Sequence, residues 1–596
     1  MHLKDQYRGV QEDRVYKIAI ITLYTAIILW LCIMLGTPAA NGYEISIYGA
    51  YSTFFWLLFL FTLFFGIALT IYFIVRGLGL WRYSFPAILI ADTVLLLFPL
   101  IRNYEIRASL GADVFAHLGW SKYILNTGYI MDSDHYPAMH ILMTTLEHLS
   151  LLDPKILAAI IPFTFFILYI MALFVLGNTI FKDNRAATIL AIFGSPLLFS
   201  SGHHAFWPFV FAFFLFPLIF YIMRKIDYSR NKRAFYVCFI VLSLFIVFCH
   251  PMTTLVLLLT LGTLYGYSQI SNKGKLGFFC KFNILNMATI VGVTFLFWYI
   301  RFKSISGMGE RVISALLESG DAETILTHNL DLVDRAGISL FRTIEVFIKV
   351  YGPMVIYFIL ALFATIYLAK KVLAEKKYVD EMSYGALYLL SIAFGAALTS
   401  GYFIIFELIR AVSFAIIMAT IVCGISLYII LKNIRSSNGR KFFTVVAIII
   451  LCSVSFLSVL NVYSSPWTMS IASHTTKMEI SGIDWFLVKQ DESTPLHLIG
   501  SDWRKYLIYF QELHKTTIQK PQIILNDIPT HFGYDQDRYL GQSINNSEKS
   551  DLYIVTNELM RQSDLAFPEE IQSVRKRYLQ EDFSRLNQDP TVNKLY

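Results

Sequence analysis

Long apolar runs, separated by short polar connections, dominate the first three quarters of this 596-residue chain. An α-helix needs about 20 mostly apolar residues to cross a bilayer. The runs recur at that length and predict about 13 transmembrane helices. The predicted spans are residues 16–36, 52–75, 83–101, 156–178, 186–201, 207–223, 234–250, 252–270, 283–300, 351–369, 383–400, 410–431 and 442–460. The predicted fold class is therefore an α-helical polytopic membrane protein.

Lysine and arginine are concentrated in alternate connections between these spans. The positive set is Arg76, Arg82, Lys182, Arg185, Arg224, Lys225, Arg230, Lys232, Arg233, Lys273, Lys275, Lys281, Lys370, Lys371, Lys376, Lys377, Lys432, Arg435, Arg440 and Lys441. Positive residues resist translocation, so this set is predicted to be cytoplasmic. An odd number of spans then places the N-terminus inside and everything after residue 461 outside.

Composition excludes a soluble multidomain protein. The chain is 56% hydrophobic and 15% charged, whereas average globular chains are about a quarter charged. The net charge of +7 comes from the membrane part, because residues 462–596 hold 14 basic and 18 acidic residues. Topology accounts for the positive excess, so no nucleic-acid partner is needed. All six cysteines lie in or beside apolar runs, which argues against an exterior disulfide scaffold.

Two long exterior loops and an exterior domain complete the predicted organisation. The membrane module covers residues 1–461, with exterior loops at 102–155 and 301–350. In residues 462–596, strand-like and helix-like stretches alternate, which predicts a small α/β domain. The strand-like stretches are 496–500, 522–526 and 551–555, and the helical ones are near 477–490, 501–516 and 566–584.

The first exterior loop contains an acid and a histidine at helical spacing. If residues 109–122 form a helix at the membrane interface, Asp113 and His117 lie one turn apart on one face. A partly desolvated carboxylate gains basicity, and a neighbouring imidazole can hold it in place. This pattern suits a general base. The alternative is that Asp113 caps a surface helix and His117 is a solvated neighbour.

A second polar cluster follows in the same loop. Alternate carboxylates such as Asp132 and Asp134 can bind one divalent cation, Mg²⁺ or Mn²⁺, or brace a base, although most such pairs are solvated turns. Pro137 suits the first turn of the next helix. The cluster consists of Asp132, Asp134, His135, Tyr136, Pro137 and His140.

These motifs resemble a known family. Asp113-x-x-x-His117-x-Gly119, followed by Asp134-His135-Tyr136-Pro137, is similar to the first lumenal loop of protein O-mannosyltransferases and related GT-C glycosyltransferases. The closely matched residues cover about 40 positions, and the remaining similarity is architectural. In this chain the usual acidic pair is Asp113-Val114, two spans precede the expected first one, and Tyr136 separates His135 from a single proline.

The resemblance implies an inverting sugar transfer from a polyprenyl-phosphate donor to a hydroxyl of a glycan, lipid or protein outside the membrane. The implied catalytic residues are Asp113, His117 and Asp134, with Asp113 taking the acceptor proton. A phosphate leaving group also needs cationic or hydrogen-bonding partners near the exterior interface. The candidates are Arg410, His135, His204, His250, Arg301 and Lys303.

Simpler explanations exist for several of these candidates. Arg410 opens a span at its exterior end, where positive charge is usually avoided, but it can also pair with Glu407. Arg301 and Lys303 can snorkel to the interface. His204 and His250 suit hydrogen-bonded interface histidines.

Two other function classes fit parts of the sequence. A transporter or flippase for lipid-linked glycans would explain the number of spans and Asp92 inside the third one. No internal repeat or mid-span charge cluster accompanies it. A non-catalytic membrane assembly protein would leave the 113–140 cluster unexplained. We expect a prokaryotic cell membrane, because the exterior domain lacks cysteine and the family match is loose.

Overall fold

The structure is a computed structural model that describes most of the chain. The described residues are 2–107, 113–272, 284–302, 307, 339–402, 408–472, 474–490, 494, 496–498, 503–514, 528–544, 553–556, 558–562 and 578–593. Side chains at the ends of some of these segments, including residues 2–13, 113 and 401–411, lie outside the description.

Long helices form the membrane part. Their bounds are α1 (His2–Gly36), α2 (Thr53–Arg76), α3 (Trp81–Ile101), α4 (Asp113–Thr127), α5 (Pro137–Ser150), α6 (Pro154–Phe181), α7 (Asn184–Gly194), α8 (Pro208–Phe214), α9 (Phe216–Tyr228), α10 (Lys232–Cys249), α11 (Pro251–Asn272), α12 (Ile284–Tyr299), α13 (Leu340–Glu375), α14 (Val379–Tyr402), α15 (Leu408–Asn433) and α16 (Ser437–Val459). A short strand, β1 (Ile106–Arg107), precedes α4.

The predicted fold class is confirmed. Within the described residues, nine helical segments are long and apolar enough to cross a membrane. Helices α11, α12 and α14 also occupy predicted spans, although they are not among these nine. The chain is therefore a multi-pass membrane protein.

The predicted span 186–201 differs from the structure. Helix α7 ends at Gly194 after 11 residues, about 16 Å at 1.5 Å per residue, which is roughly half of a hydrocarbon core. Pro196 explains this end, because proline has no N–H to continue the helical hydrogen-bond pattern. Residues 195–207 are then mostly non-helical, with a 3₁₀ turn at Ser200–His203.

The segment 195–207 lies inside the protein. All of its residues except Ser200 and Ser201 are buried. Non-helical backbone at membrane depth is tolerated where protein covers it. A buried, non-helical segment therefore takes the place of the second half of the predicted helix. It brings the Phe206 ring to 5.8 Å from the His117 ring.

Hydrogen bonds join connections that are predicted to lie on the same side of the membrane. Connections predicted to be exterior bind one another, and so do those predicted to be cytoplasmic. The first group includes Ala40 N–Arg102 O (3.0 Å), Glu105 N–Thr475 O (3.2 Å), His204 Nε2–Val462 O (3.0 Å) and Asn461 Nδ2–Val350 O (2.6 Å). The second includes Asn433 Nδ2–Tyr378 Oη (3.1 Å). At the same end, Tyr428 and Tyr267, near the ends of predicted spans, donate to Asp183 Oδ2 (2.8 Å) and to the Val379 carbonyl (2.6 Å).

The C-terminal residues contain short strands and helices. They are β2 (His474–Thr475), α17 (Lys477–Lys489), β3 (Leu496–Leu498), α18 (Trp503–His514), α19 (Leu540–Ile544), β4 (Tyr553–Val555), α20 (Glu558–Gln562) and α21 (Gln580–Leu586). β3 and β4 pair in parallel, as two of the predicted strand-like stretches allow. The stretch 522–526 and most of 566–584 lie outside the described residues.

A junction joins the residues just before α4 to the start of the C-terminal region. β1 pairs antiparallel with β2, and the His474 ring lies between the Tyr104 ring (centroids 3.8 Å apart) and the Tyr43 ring (4.8 Å). Glu44 accepts a hydrogen bond from Tyr104 Oη at 2.6 Å and forms an ion pair with Arg102. The backbone just before α4 is thereby fixed.

Protonation of His474 should loosen this junction. Burial lowers the pKa of His474 to about 4, below its usual value of about 6.5. The undocked state therefore binds the proton first, and docking is weakened by up to about 3 kcal/mol as the pH falls from 6.5 towards 4.

We expect hydrogen exchange at the Glu105 and Thr475 amides to accelerate between pH 7 and pH 4.5, after correction for intrinsic exchange. A His474→Phe variant keeps the stacked ring but cannot be protonated, so it should lack this extra pH dependence. If the wild type and His474→Phe showed the same pH dependence of hydrogen exchange, protonation of His474 would not be its cause.

Candidate active site

The turn before α5 places a buried carboxylate at the end of the bundle that is predicted to be exterior. Asp134 Oδ1 accepts a hydrogen bond from the Tyr136 N–H at 2.8 Å, which is the local bond that Asp favours in turns. Pro137 is the first residue of α5, as predicted, because its fixed φ suits that position. The sequence thus turns sharply and points Asp134 inward, where its side chain is completely buried.

Two histidines extend from this carboxylate as a hydrogen-bonded chain. His140, in the first turns of α5, has its Nδ1 2.6 Å from Asp134 Oδ2. Its Nε2 lies 2.9 Å from Nδ1 of His117 on α4. Both histidines are buried. We call this Asp134–His140–His117 arrangement the relay.

The relay fixes which nitrogen carries which proton. An ionised carboxylate only accepts hydrogen bonds, so His140 Nδ1 donates to Asp134. A neutral His140 then accepts at Nε2, and His117 donates to it from Nδ1. In this state His117 Nε2 carries a lone pair, and Asp134 stabilises positive charge if the relay gains a proton.

Aromatic rings surround the relay. The Trp120 ring centroid lies 5.6 Å from His117 and 5.2 Å from His140, and Phe206 lies 5.8 Å from His117. Trp120 Nε1 is buried and has no hydrogen-bond partner among the described residues. The surroundings are therefore poor in water, which strengthens electrostatic interactions.

The structure brings His135, His250 and Arg301 near the relay. The His250 ring stacks on Tyr136 at 5.4 Å. The His135 ring lies 4.4 Å from Phe302, and the Arg301 guanidinium lies 4.7 Å from the same Phe302 ring and 4.0 Å from Trp298. Arg301 is exposed, so it remains accessible to an anion.

The protonation of His135 follows from its surroundings. Burial lowers its pKa, the Asp134 carboxylate opposes this effect, and Arg301 lowers the pKa further. The net shift is downward, so His135 is neutral near pH 7. It can therefore offer a hydrogen bond to a phosphate oxygen, while Arg301 supplies the charge.

His204 has a different environment from the other candidates. Its Nε2 donates to the Val462 carbonyl, and its ring lies 4.5 Å from Tyr463. This contact ties the 195–207 segment to the end of α16. A role for His204 in phosphate binding stays a prediction.

Three predicted site residues lie outside the described side chains. Asp113 is placed as the first residue of α4, one turn before His117, but its side chain is not described. The same holds for Arg410 in α15, and Lys303 lies wholly outside the described residues. Their roles stay predictions.

The predicted metal ligands do not form a complete donor set. Asp132 is exposed, whereas Asp134 is buried and bonded through both oxygens. Across the described part of the chain, no group of three or more His, Cys, Asp or Glu residues is arranged to hold a metal ion. We therefore derive no catalytic step through Mg²⁺ or Mn²⁺, and the Asp132–Asp134 metal pair stays a prediction.

Sequence reasoning missed the role of His140. It was recognised in the polar cluster, but its link to His117 depends on the packing of α4 against α5. The available signal was its position three residues after Pro137, which places it near the start of a helix that follows Asp134. The sequence did not reveal its partner, His117, which lies 23 residues earlier in the chain.

Removing His140 should show how much the relay contributes to the stability of the protein. His140→Phe leaves the Asp134 carboxylate buried without its imidazole partner, which should cost about 3–5 kcal/mol of stability. Adding Asp134→Asn removes the unpaired charge and should recover part of this loss. Thermal unfolding of the purified protein checks both. His148→Phe, an exposed position on α5, is the control, and a double variant no more stable than His140→Phe would contradict an ionised Asp134.

Comparisons with known proteins give only distant similarities. No protein-family model matches the chain, and no curated protein matches it.

Solved structures show similarity at the level of the fold. The chain is similar to the Archaeoglobus fulgidus oligosaccharyltransferase in complex with Zn and sulfate, at 12% identity and a TM-score of 0.45, with 74% of this chain and 62% of that chain covered. The structure of the same protein tethered with an acceptor peptide containing the NVT sequon gives 12% identity and a TM-score of 0.48. In that comparison 76% of this chain and 66% of that chain are covered. The chain thus spans less than two thirds of the length of this neighbour.

A third similarity is to ArnT from Cupriavidus metallidurans bound to undecaprenyl phosphate, at 10% identity and a TM-score of 0.41, with 79% of this chain and 90% of that chain covered. The oligosaccharyltransferase and ArnT are GT-C superfamily membrane glycosyltransferases, the superfamily that the loop motif resembles. Because all identities are at most 12% and all TM-scores are below 0.5, we base the functional proposal on the residues of this chain.

Proposed function

We propose that this protein is a membrane glycosyltransferase that transfers a sugar, with inversion, from a polyprenyl-phosphate donor to an acceptor hydroxyl at the exterior face of the membrane. The observation that carries the proposal is the buried relay, which begins one helical turn after Asp113 in an exterior-end loop. A buried, hydrogen-bonded acid–imidazole chain is costly to maintain in an apolar bundle unless it has a use.

The proposed reaction assigns a role to each part of the loop. Asp113 accepts the proton of the acceptor hydroxyl, and the acceptor oxygen forms a bond to the anomeric carbon. The bond from that carbon to the phosphate oxygen breaks on the opposite face, and polyprenyl phosphate leaves. Once Asp113 has taken this proton, it can donate a hydrogen bond to the lone pair at His117 Nε2. His140 and Asp134 hold His117 in place and stabilise positive charge if the proton moves on to the relay.

The leaving phosphate is assigned to the side of the loop where His135 and Arg301 meet. Arg301 offers a charged guanidinium, and neutral His135 offers one hydrogen bond. Arg410 and Lys303 remain further candidates on the exterior side, and His250 is linked to the same region through Tyr136. Stabilising a leaving anion with such donors lowers the barrier to bond cleavage.

Loss of the general base should lower the rate of sugar transfer without weakening donor binding. We expect Asp113→Asn to reduce the rate of sugar transfer by about 100-fold or more, because the amide cannot take the acceptor proton, while donor affinity stays within about twofold. Asp153→Asn is the matched control: this exposed residue of the same loop only caps α6, and Asn caps equally well.

Undiminished transfer by Asp113→Asn would remove Asp113 as the base. The same assay with a chelator, followed by Mn²⁺ or Mg²⁺, separately tests the predicted metal pair. Restoration by the ion would assign a metal to this site, and an unaffected rate would exclude that requirement.

Loss of the guanidinium should weaken donor binding. We expect Arg301→Gln to lower the affinity for a polyprenyl-phosphate sugar about tenfold, since an exposed charge-assisted bond to phosphate is worth about 1.5 kcal/mol. Arg342→Gln provides the control, because Arg342 is paired with Glu345 at the exterior end of α13. Arg410→Ala is expected to behave like Arg301→Gln. Donor titration measures all three. An unchanged affinity in Arg301→Gln would remove Arg301 from donor binding and leave its contacts with Trp298 and Phe302.

A further inference from the structure

The exterior helix α18 packs directly against α4, the helix that carries His117. The Tyr509 ring meets Phe115 edge-on at 5.7 Å, and Asn126 Nδ2 donates to the Glu512 carbonyl at 2.9 Å. Phe115 and Phe510 are completely buried. The contact therefore runs along most of α4 and is part of the protein core.

Gly119 lies at the closest approach of the two helices. A Cβ atom at this position would lie 2.6 Å from Ile508 Cγ2 and 2.8 Å from the backbone carbon of Ile508 and the backbone nitrogen of Tyr509. These last two atoms belong to the main chain, so a rotamer change cannot relieve the clash. Only glycine lets α18 lie this close.

The two faces of α4 have different partners. At about 100° per residue, Phe115, Gly119 and Asn126 fall within about 40° of one another, and their contacts are with α18. His117 is about 160–200° away from them, on the side where it bonds His140 of α5. Helix α18 thus supports α4 from behind.

Further bonds between α4 and α5 hold α4 in register. Lys122 pairs with Glu147 at 3.1 Å, and Thr144 Oγ1 donates to the Ser121 carbonyl at 2.8 Å. Ser121 Oγ in turn donates to the carbonyl of His117 at 2.8 Å. A small displacement of α4 would therefore change the 2.9 Å bond between His117 and His140.

We infer that α18 is a positioning element of the active site and that Gly119 and Tyr509 are its positioning residues. Docking of the exterior region at Gly119 holds α4 against α5 and keeps the relay formed. This inference rests on the proposed function for its effect on sugar transfer, but not for its effect on the relay. It explains why the glycine of the His117-x-Gly119 motif follows the histidine on the opposite face of the helix.

The first test reads the relay directly and requires no activity. The ring protons of the hydrogen-bonded His117 and His140 should give downfield proton resonances in the full-length protein labelled with ¹⁵N-histidine. We expect Gly119→Ala to remove or shift the signals of the His117–His140 bond. Gly36→Ala is the matched control, because a Cβ at Gly36 meets nothing within 4 Å, and it should leave them unchanged.

The second test uses the ring contact, which can be removed without a clash. Tyr509→Leu should weaken the same resonances and reduce kcat several-fold with little change in the KM for the donor. Tyr509→Phe keeps the ring against Phe115 and should behave like the wild type. In the double variant, Tyr509→Leu should add little to Gly119→Ala, because both remove one docking contact.

The outcomes separate this inference from the proposed function. If the relay signals are lost in Gly119→Ala and Tyr509→Leu while the wild type transfers no sugar, the positioning role stands and the glycosyltransferase proposal fails. Unchanged relay signals in both folded variants overturn the positioning role, whatever the activity. If Gly119→Ala does not fold, the comparison of the relay signals in Tyr509→Leu and Tyr509→Phe tests the positioning role by itself.

Discussion

The structure of the site depends on one buried carboxylate. Asp134 is fully enclosed at the end of an apolar helix bundle, where an unpaired charge would cost several kcal/mol. The Tyr136 amide and the His140 imidazole supply the required partners. This requirement dictates the sharp turn before Pro137 and the position of α5.

The same requirement extends to a second helix. Once His140 donates to Asp134, its other nitrogen needs a donor in a surrounding of aromatic rings, and His117 provides one. Helix α4 must therefore lie close to α5, and α18 fills the space behind it at Gly119. The position of α4 thus depends also on a helix more than 380 residues further along the chain, as the Asn126–Glu512 contact shows.

The exterior connections form one assembly around this site. The Arg102–Glu44–Tyr104–His474 junction fixes the backbone before α4, and the buried segment 195–207 contributes Phe206 to the wall beside His117. His135 and Arg301 share the Phe302 ring on another side. These connections thus hold one another in place, as the proposed sugar transfer would require of a site that aligns a donor and an acceptor.

The sequence by itself determined the membrane class, the helical spacing of Asp113 and His117 and the start of α5 at Pro137, because these follow from local apolar length and backbone geometry. It could not determine the His117–His140 bond, the fit of α18 at Gly119 or the short α7. The first two join residues far apart in the chain, so they depend on which helices pack together. The third depends on neighbouring helices that bury a non-helical segment, a compensation that local hydrophobicity does not reveal.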